Sequence, residues 1–165
     1  MQTGRRLALD VGKARIGVAV SDFHGILSSP VGVCARGASN EESLHNWNRF
    51  LATHADDIGD EFTSLYVGLP INLKGDATAS TTDAIEVGKA FAEALGLTPR
   101  FIDERLSTVS AAAQLRAAGF DARGAKDKID AAAATLILEQ ALSIERNTLE
   151  PAGKSLEEAV DASSN

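Results

Sequence analysis

Acidic residues at three places in this sequence have the residue type and the setting that divalent-metal chemistry needs. Asp10 interrupts the apolar run of a predicted first strand, Asp103 and Glu104 end a later strand, and Asp130 lies near the start of the last predicted helix. A carboxylate buried without a partner costs several kcal/mol, so Asp10 needs a cation, a partner or water. Each acid alone also has an ordinary interpretation: a strand end in solvent, a salt bridge with Arg105, or a residue that stabilises a helix start.

Taken together, the acids predict a shared site, because loops converge at the strand ends of an open α/β sheet. Clustered carboxylates raise each other's pKa unless a cation lies between them. Oxygen-only ligation with open positions suits Mg²⁺ or Mn²⁺, and two such ions roughly 3.5–4 Å apart hold a phosphodiester for in-line attack by water. Four basic residues near the acids could hold phosphates: Lys13, Arg15, Arg105 and Lys128.

Apolar periodicity predicts the elements that must position these residues. Strands are predicted over 5–11, 15–21, 27–35, 63–69 and 99–104, and helices over 41–55, 83–95, 108–118 and 128–144. A mobile loop is predicted over 119–127. The short connection after the first strand indicates an antiparallel hairpin, and the later crossovers indicate parallel strands. The expected fold is therefore α/β, a mixed five-stranded sheet with helices on both faces.

Length and composition favour one soluble domain. The chain has 165 residues, of which 44% are hydrophobic and 24% charged, enough to bury a core without disulfides. The single cysteine, Cys34, is expected to be a small buried residue. No apolar run is long enough for a membrane span, and no signal peptide precedes the first strand. We expect a cytoplasmic protein with a domain over 1–146 and a polar, disordered tail over 147–165.

The sequence lacks the motifs that are typical of several function classes. No G-x-G-x-x-G follows the first strand and no Walker A sequence is present, which argues against dinucleotide and P-loop sites. His24, His45 and His54 show no paired spacing for a metal, and Ser21 has no G-x-S-x-G setting. A net charge of −7 argues mildly against nucleic-acid binding, although bases are concentrated over 100–128.

Four runs of the sequence resemble, in order, the motifs of one known family. They lie at 7–22, 67–70, 103–108 and 128–138, and with their surroundings they span residues 7–142. The family is YqgF/RuvX, whose members are described as Holliday-junction-resolvase-like nucleases and as pre-16S rRNA nucleases. The resemblance implies an RNase H-like fold and metal-dependent hydrolysis of phosphodiester bonds.

The resemblance also implies roles for individual residues. Asp10, Glu104 and Asp130 match the family's catalytic carboxylates, so they are expected to bind Mg²⁺ or Mn²⁺, with Asp10 in the central position. Alternation along the strand places Asp103 on the opposite face from Glu104. The sequence departs from the family at Ala14, which separates two bases that are usually adjacent, and at Gly75-Asp76, where Asp-Gly is usual. An aromatic residue often found near the end of the last helix is replaced around Ala141. None of these departures changes the three acids.

The expected substrate is structured RNA, in the maturation of the 5′ end of pre-16S rRNA, with the ribosomal particle as a candidate partner. Three alternatives stay open at this point. The same chemistry could act on branched DNA such as Holliday junctions, because shape and 2′-hydroxyl contacts decide between the two. The chain could be a non-catalytic RNA- or ribosome-binding module. A sugar-kinase or actin-like ATPase also has an Asp-x-Gly hairpin, but it needs two such domains.

Overall fold

The computed structural model describes residues 3–59, 61–104 and 122–163, with side chains described up to Glu104 and again from Ala131. The elements, in chain order, are β1 (Arg5–Val11), β2 (Arg15–Ser21), β3 (Ser28–Ala35), α1 (Asn40–Thr53), α2 (Ala55–Ile58), β4 (Phe62–Leu69), α3 (Ala79–Leu95), β5 (Pro99–Asp103), α4 (Ala122–Thr148), β6 (Lys154–Ser155) and α5 (Leu156–Ser163). The predicted helix over 108–118 lies outside the described residues.

The strands form one mixed sheet in the order β3-β2-β1-β4-β5-β6. Strand β1 pairs antiparallel with β2 and parallel with β4, and β4 pairs parallel with β5. The carboxyl ends of β1, β4 and β5 therefore lie side by side at one end of the sheet, hereafter the carboxyl end. The predicted combination of a hairpin with parallel strands is confirmed, with β6 as a sixth strand.

Local backbone bonds explain why the first hairpin is so short. The Gly12 N–H donates to the Arg15 carbonyl at 2.9 Å, which closes the turn between β1 and β2. A Cβ at Gly12 would lie 2.8 Å from that same carbonyl oxygen, so the tight turn requires glycine. The hairpin carries the end of β1, and with it Asp10, back into the sheet.

Helices cover both faces of the sheet, as predicted. On one face, Leu7 and Leu9 of β1 belong to a core that includes Trp47 of α1 and Phe91 of α3. Small side chains on the other face, among them Ala8, meet the alanines and leucines of α4. Because side chains alternate along a strand, Asp10 belongs to the same face as Ala8 and therefore to the face that α4 covers.

Helix α4 begins earlier than predicted and runs antiparallel to β1. Residues 122–127, expected in a mobile loop, are helical, since four of the six are the good helix formers alanine, arginine and lysine. The rest of that predicted loop lies outside the described residues. Glu145, near the end of α4, contacts Arg6 at the start of β1. The start of α4 is therefore directed toward the carboxyl end of the sheet.

The last residues form ordered elements where the sequence predicts a polar tail. Lys154 of β6 pairs with Phe101 of β5, and Ala159 of α5 is buried in the core that α1 and α3 share. The Arg100 side chain donates to the carbonyls of Ala152 and Gly153 at 2.8 and 2.6 Å. A two-residue strand has no periodicity to detect, and these anchoring contacts are made by residues far apart in sequence. The pattern therefore gave no signal for this segment.

The Cys34 thiol should be unreactive in the folded protein. Its residue is 1% exposed, and burial raises the pKa of the thiol to about 11. Because the thiolate is the reactive form, we expect negligible labelling by a disulfide reagent at pH 8 under native conditions. One thiol per chain should react after denaturation in urea. Rapid labelling of the native protein would contradict this burial.

Candidate active site

Two carboxyl groups meet at the carboxyl end of the sheet. Asp10 follows the Leu9–Val67 pair of β1 and β4, which places it next in register to Gly68. Gly68 pairs with Ile102 of β5, and Glu104 comes two residues later on the same face. A hydrogen bond joins the Glu104 and Asp10 side chains. Three adjacent parallel strands thus bring together two acids that are far apart in the sequence.

Gly68 makes the room that this pairing needs. A Cβ at this position would lie well inside contact distance of Glu104 Oε1 and 2.6 Å from Ile137 Cδ1 of α4. The Glu104 carboxyl group therefore occupies the space above a glycine, with a core side chain of α4 beside it. No motif argument predicts this role, because it depends on the register of β1, β4 and β5.

The electrostatics of the pair favour a cation. Burial raises the pKa of Glu104 to about 9, and the hydrogen bond that protonated Glu104 donates to Asp10, together with the charges of Asp10 and Asp103, adds to the shift. Without a counter-ion, Glu104 therefore keeps its proton at neutral pH. A divalent cation bound between the two groups would replace that proton and relieve the repulsion.

The described donors fit Mg²⁺ or Mn²⁺ in kind. Asp10 and Glu104 offer only oxygen atoms, which these ions prefer. No group of three His, Cys, Asp or Glu side chains within the described ranges is close enough to hold a metal. The backbone of Asp130 lies in α4, four residues before Ala134, which is buried against the sheet. The Asp130 side chain is outside the described residues, so its part in the site stays a prediction.

The predicted phosphate-binding residues are divided between the hairpin and the undescribed segment. Lys13 is exposed and Arg15 is partly buried, and both lie in or beside the turn that follows Asp10. Arg105 and the side chain of Lys128 lie outside the described residues. Asp103 is the last residue of β5, where it pairs with Leu69, and Glu104 follows directly after the strand.

Sequence reasoning missed Arg36, which holds the site's hairpin in place. Its Nη1 donates to the Gly12 carbonyl at 2.8 Å and to Asp83 Oδ2 at 2.7 Å, and its Nη2 donates to Asp83 Oδ1 at 2.9 Å. The hydrogen bonds with Asp83 hold the pKa of Arg36 above its usual range. This bidentate pair ties the turn after Asp10 to the first turns of α3. Nothing local in the sequence marks it, because the partners are 47 residues apart.

The residues of this site lie within a segment that matches a known protein family. The RuvX family, described as Holliday junction resolvase, matches residues 4–144. The chain belongs to the RuvX family. That match includes the hairpin, both paired carboxyl groups and most of α4, and it confirms the resemblance found in the sequence motifs.

Individual RuvX relatives match nearly the whole chain. A protein from Leifsonia xyli subsp. xyli is 42% identical over 95% of this chain and 97% of its own length. A protein from Clavibacter sepedonicus is 46% identical over 93% of this chain and 91% of its own length. Both carry the name "Putative pre-16S rRNA nuclease". The family and the names of its relatives together support a nuclease function, as predicted.

A solved structure supports the fold. The structure of Thermus thermophilus RuvC matches with a TM-score of 0.51 and 12% identity, covering 90% of this chain and 99% of that chain. This likeness confirms the predicted RNase H-like architecture of the RuvX chain. In the described part of the chain, no helix is long and apolar enough to cross a membrane.

Gly68→Ala should reduce nuclease activity by displacing Glu104. The added Cβ would collide with Glu104 Oε1 and with Ile137, so the carboxyl group must move away from Asp10. We expect at least a roughly 10-fold loss in kcat/KM, since misplacing a catalytic group by about 1 Å costs up to 100-fold. Initial cleavage rates at saturating Mg²⁺ measure this effect.

The matched control is Gly96→Ala. Among the described residues, apart from its chain neighbours and its own helix backbone, no atom lies within 4 Å of a Cβ built at Gly96, whose φ is +69° at the end of α3. This variant should lose about 1 kcal/mol of unfolding free energy and keep its activity. Equal activity in both variants would show that Glu104 does not need its place above Gly68.

Proposed function

We propose that this chain is a Mg²⁺- or Mn²⁺-dependent nuclease that hydrolyses a phosphodiester bond of structured RNA during 5′-end maturation of pre-16S rRNA. The single observation that carries the proposal is the pairing of Asp10 with Glu104 above Gly68. A site that forces two carboxyl groups together is suited to a divalent cation. The names of the relatives from Leifsonia and Clavibacter support the RNA substrate.

In this proposal, one set of residues binds the cation and another binds the substrate. Asp10, Glu104 and Asp130 would hold the cation through carboxylate oxygens. When bound, the cation supplies Lewis-acid chemistry, which polarises the phosphodiester and acidifies water. Lys13 and Arg15, in the hairpin beside Asp10, would bind phosphates of the substrate. Since water is the nucleophile, no side chain has to form a covalent bond with phosphorus.

Branched DNA is the second candidate substrate, because the matching family is described as Holliday junction resolvase. The two candidates share their chemistry and differ in the shape that must be bound. A direct test compares cleavage of a pre-16S rRNA fragment with cleavage of a four-way DNA junction under identical conditions. Preferential cleavage of the RNA supports the proposal, whereas preferential cleavage of the junction assigns the chain to the alternative.

Activity should depend completely on a divalent cation. We expect no cleavage of the rRNA fragment in excess EDTA and full recovery when Mg²⁺ or Mn²⁺ is added back. Ca²⁺ should restore binding of the RNA with little cleavage, because it is larger and tolerates looser coordination. Cleavage that persists in EDTA would overturn the metal-dependent mechanism.

The ribosomal particle is the proposed partner that presents the RNA in the cytoplasm. The test supplies the same 5′ extension either on naked RNA or on immature small-subunit particles. Faster cleavage on the particle, at equal concentrations of cleavable ends, would support a partner that positions the substrate. Equal rates would assign recognition to the RNA alone.

A further inference from the structure

A short loop at the carboxyl end of the sheet exposes an apolar side chain. The loop covers residues 70–78 between β4 and α3, and an isolated bridge pairs Ile71 with Ala77. At its tip, Leu73 is 94% exposed, the largest fraction among the exposed large hydrophobic residues in the described ranges. The neighbouring Lys74 is also exposed. We call residues 71–77 the Leu73 loop.

The Leu73 loop is ordered by its own hydrogen bonds. Asn72 Oδ1 accepts the backbone N–H groups of Lys74 and Asp76 at 3.0 and 2.9 Å. The Gly75 N–H donates to the Asn72 carbonyl at 2.9 Å, and the Asn72 N–H donates to the Asp76 carbonyl at 3.1 Å. Gly75 has φ +87°, a conformation that glycine adopts without strain.

The base of the loop is fixed to helix α3. The Thr81 hydroxyl donates to the Pro70 carbonyl and accepts the Thr78 N–H at 2.9 Å, with Thr81 2% exposed. The position of the loop is therefore set by both the strand and the helix. The tip of the loop is already ordered without a partner. The protein therefore loses little conformational entropy when a ligand binds there.

The loop follows β4, the strand that carries Gly68, at the carboxyl end of the sheet. Leu73 is the fifth residue after Gly68, so their Cα atoms are at most about 18 Å apart, a distance of a few nucleotides along a strand. A phosphodiester bound near Asp10 and Glu104 therefore brings its neighbouring bases within reach of the loop. Lys74, next to Leu73, adds an exposed positive charge at the tip of the loop.

A single exposed leucine is common on protein surfaces and by itself needs no explanation. What distinguishes Leu73 is its combination of nearly complete exposure, a preordered loop and a position at the same end of the sheet as the paired carboxyl groups. Apolar side chains such as leucine act as wedges in nucleic-acid binding when they insert between bases or pack on an unstacked base. Water contact with the leucine is lost in that step, which is favourable.

From these observations we infer that Leu73 packs against an unstacked nucleobase beside the scissile phosphate and thereby selects where the RNA is cut. Lys74 contacts the backbone phosphate next to that base. This inference rests on the proposed nuclease function and adds how the substrate is recognised. It predicts a preference for cleavage at junctions between paired and unpaired RNA, where a base can leave the stack at little cost.

The test measures RNA binding separately from cleavage. In an Asp10→Asn background, Leu73→Ala should weaken binding of a fluorescent pre-16S rRNA fragment about 10-fold, within the range that loss of one base contact produces. Leu73→Met should restore most of the affinity, since it keeps the apolar volume. Val160→Ala, which removes apolar surface from an exposed residue of α5, should leave affinity unchanged.

Substrates with one abasic site locate the contact. Wild-type protein should lose about 10-fold in kcat/KM on one RNA whose abasic site flanks the cut, and Leu73→Ala should lose nothing further on that RNA. Equal affinity of the Leu73→Ala variant, or losses that simply multiply at every abasic position, would overturn the inference. A fall in Tm of the free Leu73→Ala protein would overturn it as well, because Leu73 would then pack within the chain.

These outcomes separate the inference from the function on which it rests. If wild-type protein neither binds nor cleaves the rRNA fragment with any divalent cation, the proposed function fails. If wild-type protein binds and cleaves the fragment and Leu73→Ala does so equally well, only the inference fails.

Discussion

Asp10→Asn should abolish cleavage and leave the fold intact. Asparagine keeps the shape of aspartate but removes the negative charge that a divalent cation needs, so we expect kcat/KM to fall by roughly 1,000-fold or more, about 4 kcal/mol of transition-state stabilisation. The amide group of the substituted side chain can keep a hydrogen bond with Glu104, and the substitution removes the Asp10 charge that helps to raise the pKa of Glu104. The Tm of the metal-free variant should therefore equal or exceed that of the wild type.

Asp22→Asn is the matched control for Asp10→Asn. It makes the same chemical change at the opposite end of the sheet, where Asp22 Oδ1 accepts the N–H groups of Ile26 and Leu27 at 2.7 and 2.9 Å. An asparagine oxygen can accept the same bonds, so this variant should cleave RNA like the wild type. Calorimetric titration with Mn²⁺ completes the comparison: binding should be lost in Asp10→Asn alone. If Asp10→Asn cleaves as fast as the wild type, the site assignment is wrong.

Among the substitutions considered, Glu145→Ala should cause the largest fall in the free energy of unfolding. Arg6 and Glu145 form a buried ion pair at the far end of the sheet, with Arg6 Nη2 2.9 Å from Glu145 Oε1 and side chains that are 0% and 4% exposed. The Tyr66 hydroxyl donates to Glu145 Oε2 at 2.9 Å. Removing the carboxylate leaves the guanidinium buried without its counter-charge. We expect the unfolding free energy to fall by about 3–5 kcal/mol.

Urea denaturation measures this loss, with Glu139→Ala as the control, because Glu139 is an exposed residue of the same helix. Glu145→Gln should lie between the two, since it keeps an acceptor for Tyr66 and loses the charge. If Glu145→Ala does not fold, the double variant Arg6→Met/Glu145→Leu should, because apolar residues of similar size often replace a buried ion pair without loss. A change below about 1 kcal/mol in Glu145→Ala would show that Arg6 finds another partner.

The sequence predicted what depends on neighbouring residues. The Gly12 turn is closed by a bond to Arg15, three residues away, so the hairpin could be read directly from its pattern. The motifs also pointed to Asp10 and Glu104, which the structure brings into hydrogen-bond contact.

What the sequence could not predict depends on register and on distant partners. In the sequence, nothing distinguishes Gly68 from the other residues of its apolar strand. Its role depends on the pairing of β4 with β5, which places Glu104 directly above it. The Arg6–Glu145 pair joins residues 139 apart, and no pattern links a base in the first strand to an acid in the last long helix. Strand β6 escaped detection for the opposite reason, because two residues are too few to show a period.

The buried Arg6–Glu145 pair also sets a scale along helix α4. The helix rises about 1.5 Å per residue, so Asp130 is displaced along the axis by about 22 Å from Glu145. If the helix slipped by one turn along β1, its whole start would move by about 5.4 Å, far more than the distance tolerance of a carboxylate ligand. The ion pair near the end of α4 therefore fixes the axial position of the start of the helix at the carboxyl end of the sheet. A substitution at Arg6 or Glu145 could thus shift Asp130 although both residues lie at the other end of the sheet.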